Sequence, residues 1–348
     1  MSELGRCGRF RLLERIGVGG MGEIFLAEED ETDRRVAIKR LLKACANDPI
    51  FIGMFLDEAR LVERLTHPNI CDVAEHGQEG RHYFLVMEHI DGLSLRQLLD
   101  ARGGRGLPFP LAARVIAEVA SGLDYAHRLA ADDGQPIGVV HRDVSPANIM
   151  IARDGSVKLV DFGLAKARTQ IMKTQPGLVK GKFGYLAPEQ LGGKVDWRTD
   201  LFALGLCAFE AVTGRQLFDQ HTAAETVQAI TSFSGPPEVP GSPPGFHAIL
   251  TQLLAVDPTQ RHQSAAAFRA DLGRVVVEAG YGAVSAQSLA DLVAGRSPSS
   301  TPAPALDERT SMPTSSEPPP ARSPLPLLLA VFALAALLMA GLLIWWAT

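Results

Sequence analysis

Residues 138–167 read GVVHRDVSPANIMIARDGSVKLVDFGLAKA, and within them Asp143, Asn148 and Asp161 flank two short β-compatible runs. The runs are Ile149-Met150-Ile151 and Val157-Lys158-Leu159-Val160, and Asp154-Gly155 between them is a turn pair. That pattern predicts a hairpin. A hairpin here brings Asn148, just before the first run, beside Asp161, just after the second. Carboxylate and amide oxygens placed together suit Mg²⁺, a hard cation that takes oxygen ligands. Asp143 would stand beside them as a base for a hydroxyl proton.

Upstream, residues 11–41 read RLLERIGVGGMGEIFLAEEDETDRRVAIKRL. The glycines Gly17, Gly19, Gly20 and Gly22 lie between two β-compatible flanks, and glycine lets backbone amides approach phosphate closely. A lone GxGxxG also fits a dinucleotide fingerprint, but that motif needs a helix opening at its third glycine. Here a turn (Asp30 to Asp33) and a second strand (Val36 to Lys39) follow, which predicts a hairpin lid. On the glycines alone, an ordinary hairpin is an equal reading. Lys39 closes an apolar strand, so its ammonium is expected in a cleft. Next, Phe51, Met54, Phe55, Leu61, Val62 and Leu65 recur at helical spacing. Glu58 shares their face, seven residues from both Phe51 and Leu65. An inward carboxylate needs a cation, and Lys39 is the expected partner; an exposed Glu58 with a surface Lys39 is the alternative.

Taken in order, GVGGMG, VAIK, Glu58, HRDVSPAN, DFG and Ala187-Pro188-Glu189 resemble the protein kinase superfamily, in its bacterial eukaryotic-like (Hanks-type) Ser/Thr branch. The resemblance covers roughly residues 10–275. It implies an α+β, two-lobed fold with a small β-rich N-lobe and a larger, mainly helical C-lobe. It also implies ATP and Mg²⁺ as cofactors and proteins bearing Ser or Thr as substrates. Residue by residue, it implies that Gly17, Val18, Gly19, Gly20, Met21 and Gly22 cover the phosphates, with Ile16 and Ile24 against the nucleotide. Lys39, held by Glu58, would contact the α- and β-phosphates. Met87 would be the gatekeeper, followed by hinge residues Glu88, His89 and Ile90, and Ala37 and Met150 would sandwich adenine. Asp143 would accept or orient the hydroxyl proton, and Asn148 and Asp161 would bind Mg²⁺. Asp200 to Gly205 resembles the buried aspartate helix of the large lobe, and Arg261 the arginine that pairs with Glu189.

Two positions depart from the family pattern. Ser145 stands where Ser/Thr kinases usually carry Lys, and Ala147 where tyrosine kinases often carry Arg. Lys182 stands where Ser/Thr kinases usually carry Thr. The pair suggests an exchange in which Lys182 supplies the charge lost at position 145; two unrelated substitutions are the alternative. Thr169 and Thr174 lie between Asp161 and Glu189, and Arg142 occupies the position that grips a phosphorylated loop in related kinases. Autophosphorylation, by way of a transient homodimer, is therefore expected. Two rival readings share part of the pattern. A membrane-tethered pseudokinase scaffold would tolerate Ser145, but Lys39, Glu58, Asp143, Asn148 and Asp161 are all present. A small-molecule phosphotransferase shares the lobe plan but is disfavoured by the segment at Glu189 and by Arg261.

The rest of the chain sets the context. With 34 Lys plus Arg against 39 Asp plus Glu, the net charge is −5, and no nucleic-acid partner is expected. Cys7, Cys45, Cys71 and Cys207 form no C-x-x-C pair, so reduced thiols fit better than zinc or disulfides. The opening MSELGRCGRF lacks the apolar run of a signal peptide. Residues 276–296 read as a short helical extension. Residues 297–324 are dense in Pro, Ser and Thr and read as a disordered tether. Leu325 to Trp346 is uncharged, and as a helix it would span about 33 Å, enough for a hydrocarbon core of roughly 30 Å. Arg309 and Arg322 precede it and no Lys or Arg follows. This predicts a single-pass C-terminal anchor in the cell inner membrane, with the kinase domain in the cytoplasm.

Overall fold

Alternating apolar residues divide the first strands into two faces. The computed structural model describes residues 4–19, 22–131, 133–135, 137–162 and 183–295. Strands β1 (Gly5–Cys7), β2 (Phe10–Val18), β3 (Gly22–Glu29), β4 (Arg35–Leu41), β5 (Val73–Glu79) and β6 (His82–Glu88) form an antiparallel sheet in the order β1-β2-β3-β4-β6-β5. Phe10, Leu12, Phe25, Ala27, Val36, Ile38, Phe84 and Val86 close one face into a small core with Cys7. The opposite face gives Ala37, Leu41, Leu85 and Met87 to the main core. Side chains two apart along a strand share a face, so β4 carries Lys39 on the same side as Ala37 and Leu41.

Helix α1 (Pro49–Val62) covers that side with Phe55, Ala59 and Val62. Asp48 caps it by accepting from the Ile50 N–H at 2.9 Å, and Pro49 occupies the first helical position. The helix is shorter than the apolar spacing suggested. Arg64 and Leu65 donate to the carbonyls of Leu61 and Val62, three residues back, so the last turn tightens and Leu65 is buried beyond the helix.

The larger lobe starts with β7 (Gly92–Ser94), α2 (Leu95–Ala101) and α3 (Phe109–His127). Strands β8 (Ile149–Ala152) and β9 (Val157–Leu159) follow and pair as the predicted hairpin, Ile149 opposite Leu159 and Ile151 opposite Val157. Gly155 turns it with φ 83°, a conformation that favours glycine. The helix Trp197–Thr213 is buried continuously from Thr199 to Ala211. A helix apolar on all sides belongs inside a core, and α3 packs on it. Helices Ala223–Thr231, Phe246–Leu253, Ala265–Glu278 and Ala286–Val293 follow in the lobe. All four cysteines are free and buried.

The segment before this central helix is held by one ion pair. Arg261 has no exposed side-chain surface and gives two parallel bonds to Glu189, at 2.7 and 2.8 Å. Its remaining donors reach the carbonyls of Ala255, Arg198 and Val256, its guanidinium lies over Phe202, and Thr199 also donates to Glu189. The two-lobed fold is as the sequence implied. Among the described residues no helix is long and apolar enough to cross a membrane. The tether 297–324 and the apolar stretch 325–346 lie outside the described residues, as do Gly20, Met21, Gly163, Thr169, Thr174 and Lys182.

Removing one partner of a satisfied buried pair strands the other. Arg261→Met should cost about 3–5 kcal/mol of unfolding free energy, read from urea denaturation midpoints. Arg261→Lys should recover only part of it, because an ammonium cannot make the two-pronged contact.

Candidate active site

β4 and α1 together aim Lys39 and Glu58 at each other. Lys39 Nζ lies 3.2 Å from Glu58 Oε1 and 2.9 Å from Asp161 Oδ1, so one ammonium bridges a helix of the small lobe and the segment after β9. Lys39 and Glu58 are both buried. Burial disfavours the Lys39 charge, but the carboxylates of Asp161 and Glu58 outweigh it and push its pKa up. Glu58 is pushed up to about 7, first by burial and then by Asp161, against the pull of Lys39. Asp161 has φ 63°, a left-handed conformation that a non-glycine residue adopts at a cost.

The loop before β8 hangs from Asp200, on the central helix. The Asp200 carboxylate, wholly buried, accepts the N–H groups of His141 at 2.8 Å and Arg142 at 2.7 Å, and His127 Nε2 donates to it at 2.8 Å. These bonds hold Arg142 at φ 66°. His141 Nδ1 accepts from the Asp143 N–H at 3.2 Å and Nε2 faces the Val160 carbonyl at 3.0 Å, which fixes the Nε2–H tautomer. The His141 ring meets Phe162 edge-on, 4.5 Å between centroids. Asn148 Nδ2 donates to Asp143 twice, to its carbonyl at 2.8 Å and to Oδ2 at 2.9 Å. The Val160 N–H donates to the Asn148 carbonyl at 2.9 Å. Asp143, Asn148 and Asp161 are thus gathered at the open end of the hairpin. Ser145 is only 2% exposed, and its Oγ has no hydrogen-bond partner among the described residues.

β2 and β3 pair antiparallel on either side of the glycine segment, with Gly17 opposite Ile24 and Val18 opposite Glu23. The Gly19 N–H donates to the Gly22 carbonyl at 2.7 Å. No helix opens there, which removes the dinucleotide alternative. Ile16 and Val18 are exposed, whereas Ile24 packs against the main core. Ala37 lies opposite Met87 across β4 and β6, and Met150 lies opposite Lys158 in the hairpin. Glu88 accepts from the Asp72 N–H at 2.7 Å and from Lys158 Nζ at 2.5 Å, and Ile90 packs on the core just beyond. Two contributors stand outside every motif. His127 shares Asp200, and Asn69 bonds both ends of β9; neither belongs to a periodic pattern. The orphan hydroxyl of Ser145 needed coordinates to be seen.

The protein kinase domain signature matches residues 10–271. The chain belongs to the protein kinase family. The tyrosine-protein kinase MasK of Myxococcus xanthus is 40% identical over 270 residues, covering 75% of this chain and 42% of its own length. The serine/threonine-protein kinase PrkC of Bacillus subtilis is 36% identical over 274 residues, covering 76% of this chain and 40% of its own. The serine/threonine-protein kinase PknA of Mycobacterium tuberculosis is 36% identical over 267 residues, covering 75% and 60%. The chain therefore spans less than two thirds of the length of each of these relatives. The crystal structure of the Mycobacterium tuberculosis PknI kinase domain superposes with a TM-score of 0.61 at 26% identity, over 79% of this chain and 99% of that one.

Protein kinases use ATP with Mg²⁺, and the residues present fit that pair. Both Asn148 side-chain bonds use the amide nitrogen, which leaves the amide oxygen for a cation beside the Asp161 carboxylate. Among the described residues no group of three or more His, Cys, Asp or Glu would hold a metal by itself. Two oxygen ligands completed by phosphate and water are the usual arrangement for Mg²⁺.

Glu58 supplies a pH test. The folded chain holds its proton up to about 7, against an ordinary value of 4.5. The stability this contributes is fully present below pH 4.5 and is lost as pH rises through 7. Glu58→Gln should flatten the dependence of unfolding free energy on pH across that window, as measured by urea denaturation at several pH values.

Proposed function

We propose that this chain is a membrane-anchored protein kinase of bacterial signal transduction that transfers the ATP γ-phosphate to Ser or Thr hydroxyls of proteins, itself included. The observation that carries the reading is the Lys39 bridge to Glu58 and Asp161, set beside the Asn148–Asp143 pair. Lys39 binds the α- and β-phosphates, and Glu58 keeps it aimed. Asn148 and Asp161 hold Mg²⁺, which when bound offsets charge on the transferring phosphoryl group. Asp143 orients the acceptor hydroxyl and takes its proton, and Asn148 fixes the Asp143 carboxylate by a bond to Oδ2. Gly17, Val18, Gly19, Gly20, Met21 and Gly22 cover the phosphates. Ile16, Ile24, Ala37, Met150, Met87, Glu88 and Ile90 frame the nucleotide. The chemistry rests on positioned charge, and the protein need form no covalent bond to the phosphoryl group.

The acceptor class follows PrkC and PknA, both named serine/threonine-protein kinases. A tyrosine acceptor is the second reading, favoured by the name of MasK and by the missing cation at Ser145. The tether 297–324 and apolar span 325–346 support membrane anchoring. Arg142 precedes Asp143 in the sequence, and Thr174 and Thr169 lie between Asp161 and Glu189, which supports control by a phosphate on one of these threonines. The pseudokinase reading is disfavoured by the assembled charges. The kinase reading is tested with the full chain and Mg-ATP. Asp143→Asn should abolish phosphotransfer while ATP binding persists. Phosphoamino-acid analysis of the parent should return phosphothreonine or phosphoserine; phosphotyrosine alone would move the chain to the second reading, and an inert parent to the pseudokinase.

The exchange between positions 145 and 182 belongs to the same proposal. It is supported by the buried Ser145 hydroxyl, which has no hydrogen-bond partner among the described residues. Lys182→Ala should lower turnover about 10- to 1,000-fold, the scale for a donor that stabilises developing charge. The double swap Ser145→Lys with Lys182→Thr should be more active than either single change in steady-state assays. Near-normal turnover of Lys182→Ala would end the idea.

A further inference from the structure

The helix Ala286–Val293 lies beyond the residues matched by the kinase signature, which end at 271. It nevertheless packs into the large lobe: Leu289, Ala290 and Leu292 are buried, and Leu289 and Leu292 belong to the main core. Ser285 caps it by accepting from the Ser288 N–H at 3.2 Å, so its start is fixed. That start sits on the closed end of the β8–β9 hairpin. A Cβ at Gly155 would overlap the Ala286 carbonyl, so the first turn of the helix and the hairpin turn touch backbone to backbone.

A polar chain makes a second connection. The carbonyl of Val284 accepts from Arg114 on α3. Arg114 Nε donates to Glu118 Oε1 at 2.8 Å, and Asn69 Nδ2 donates to Glu118 Oε2 at 3.2 Å. Asn69 Nδ2 also donates to the Val157 carbonyl at 3.0 Å, and the Asn69 carbonyl accepts the Leu159 N–H at 2.9 Å. The segment after the kinase signature is thus joined to both ends of β9. Two residues past β9 stands Asp161, and the intervening Val160 is bonded to Asn148.

We infer that Tyr281–Val293 is a positioning element of the active site: it holds the closed end of the hairpin whose open end presents Asn148 and Asp161. The inference rests on the proposed kinase reading, in which those two residues hold Mg²⁺. Its residues touch neither nucleotide nor metal. Their effect passes through the hairpin, so it should appear in metal dependence rather than in nucleotide contact. Partners of metal ligands act in this way in general.

The test uses the full chain with Leu289→Ala, which removes buried contact, and with Arg114→Met, which cuts only the polar chain. Leu289→Met is the conservative control. Two quantities are read: the Mg²⁺ concentration for half-maximal ATP-dependent phosphorylation, and the Kd of ADP in EDTA. In Leu289→Ala and Arg114→Met the Mg²⁺ half-point should rise about tenfold, with the control and all ADP affinities staying within about twofold of the parent. A Mg²⁺ half-point equal to that of the parent, or ADP affinity in EDTA falling in parallel, would overturn the inference and leave the helix a structural cover. Should Leu289→Ala fail to fold, Arg114→Met decides, because it keeps the apolar face intact. A parent without Mg²⁺-dependent turnover refutes the kinase reading, an outcome distinct from parity between variant and parent.

Discussion

The Asp200 carboxylate is the contact on which the larger lobe's chemistry hangs. A fully buried carboxylate is costly unless donors surround it. Here the N–H groups of two successive loop residues and a histidine ring converge on it. The requirement works in both directions. The central helix needs the loop to satisfy its acid, and the loop needs the acid to hold Arg142 in a left-handed conformation. Once those two amides are fixed, the orientation of His141 follows, and His141 in turn receives Asp143 and faces Val160. Asp143 and the end of β9 are therefore positioned by one carboxylate that touches neither directly.

The smaller lobe reaches the same place by a different device. Strand alternation puts Lys39 among apolar neighbours, where only opposite charge makes its burial tolerable. Two carboxylates share it, one from each lobe. The lobes are thus joined at the site by one ammonium that a carboxylate from each lobe contacts. With both acids ionised this cluster carries excess negative charge, the electrostatic setting in which a divalent cation is welcome.

Much of this was legible in the sequence, because the determinants are local. The two apolar runs around Asp154-Gly155 fixed a hairpin, and hairpin geometry by itself brings Asn148 to Asp161. The helical spacing around Glu58 gave its direction, and with it the pairing to Lys39. The apolar rhythm does not mark the end of α1, because Leu65 keeps that rhythm while its backbone has already tightened. Asn69 and His127 were invisible for a different reason. Each acts through contacts far along the chain (Asn69 to Val157, His127 to Asp200), and nothing in the neighbouring residues announces a distant partner. The helix Ala286–Val293 was expected as a short helix, but its seat on the hairpin turn depends on tertiary packing that spacing does not encode.

That seat changes where the folded unit ends. The kinase domain signature ends at residue 271, inside the helix Ala265–Glu278. Physical closure comes later. Tyr281 lies against Phe109 at the start of α3, and Leu289 and Leu292 finish the apolar interior. A recombinant fragment trimmed at the family boundary would uncover Phe109 and the hairpin turn to water and present a sticky apolar patch. A division beyond Val293, the end of the helix Ala286–Val293, keeps this packing intact, whereas one at the end of the kinase signature does not.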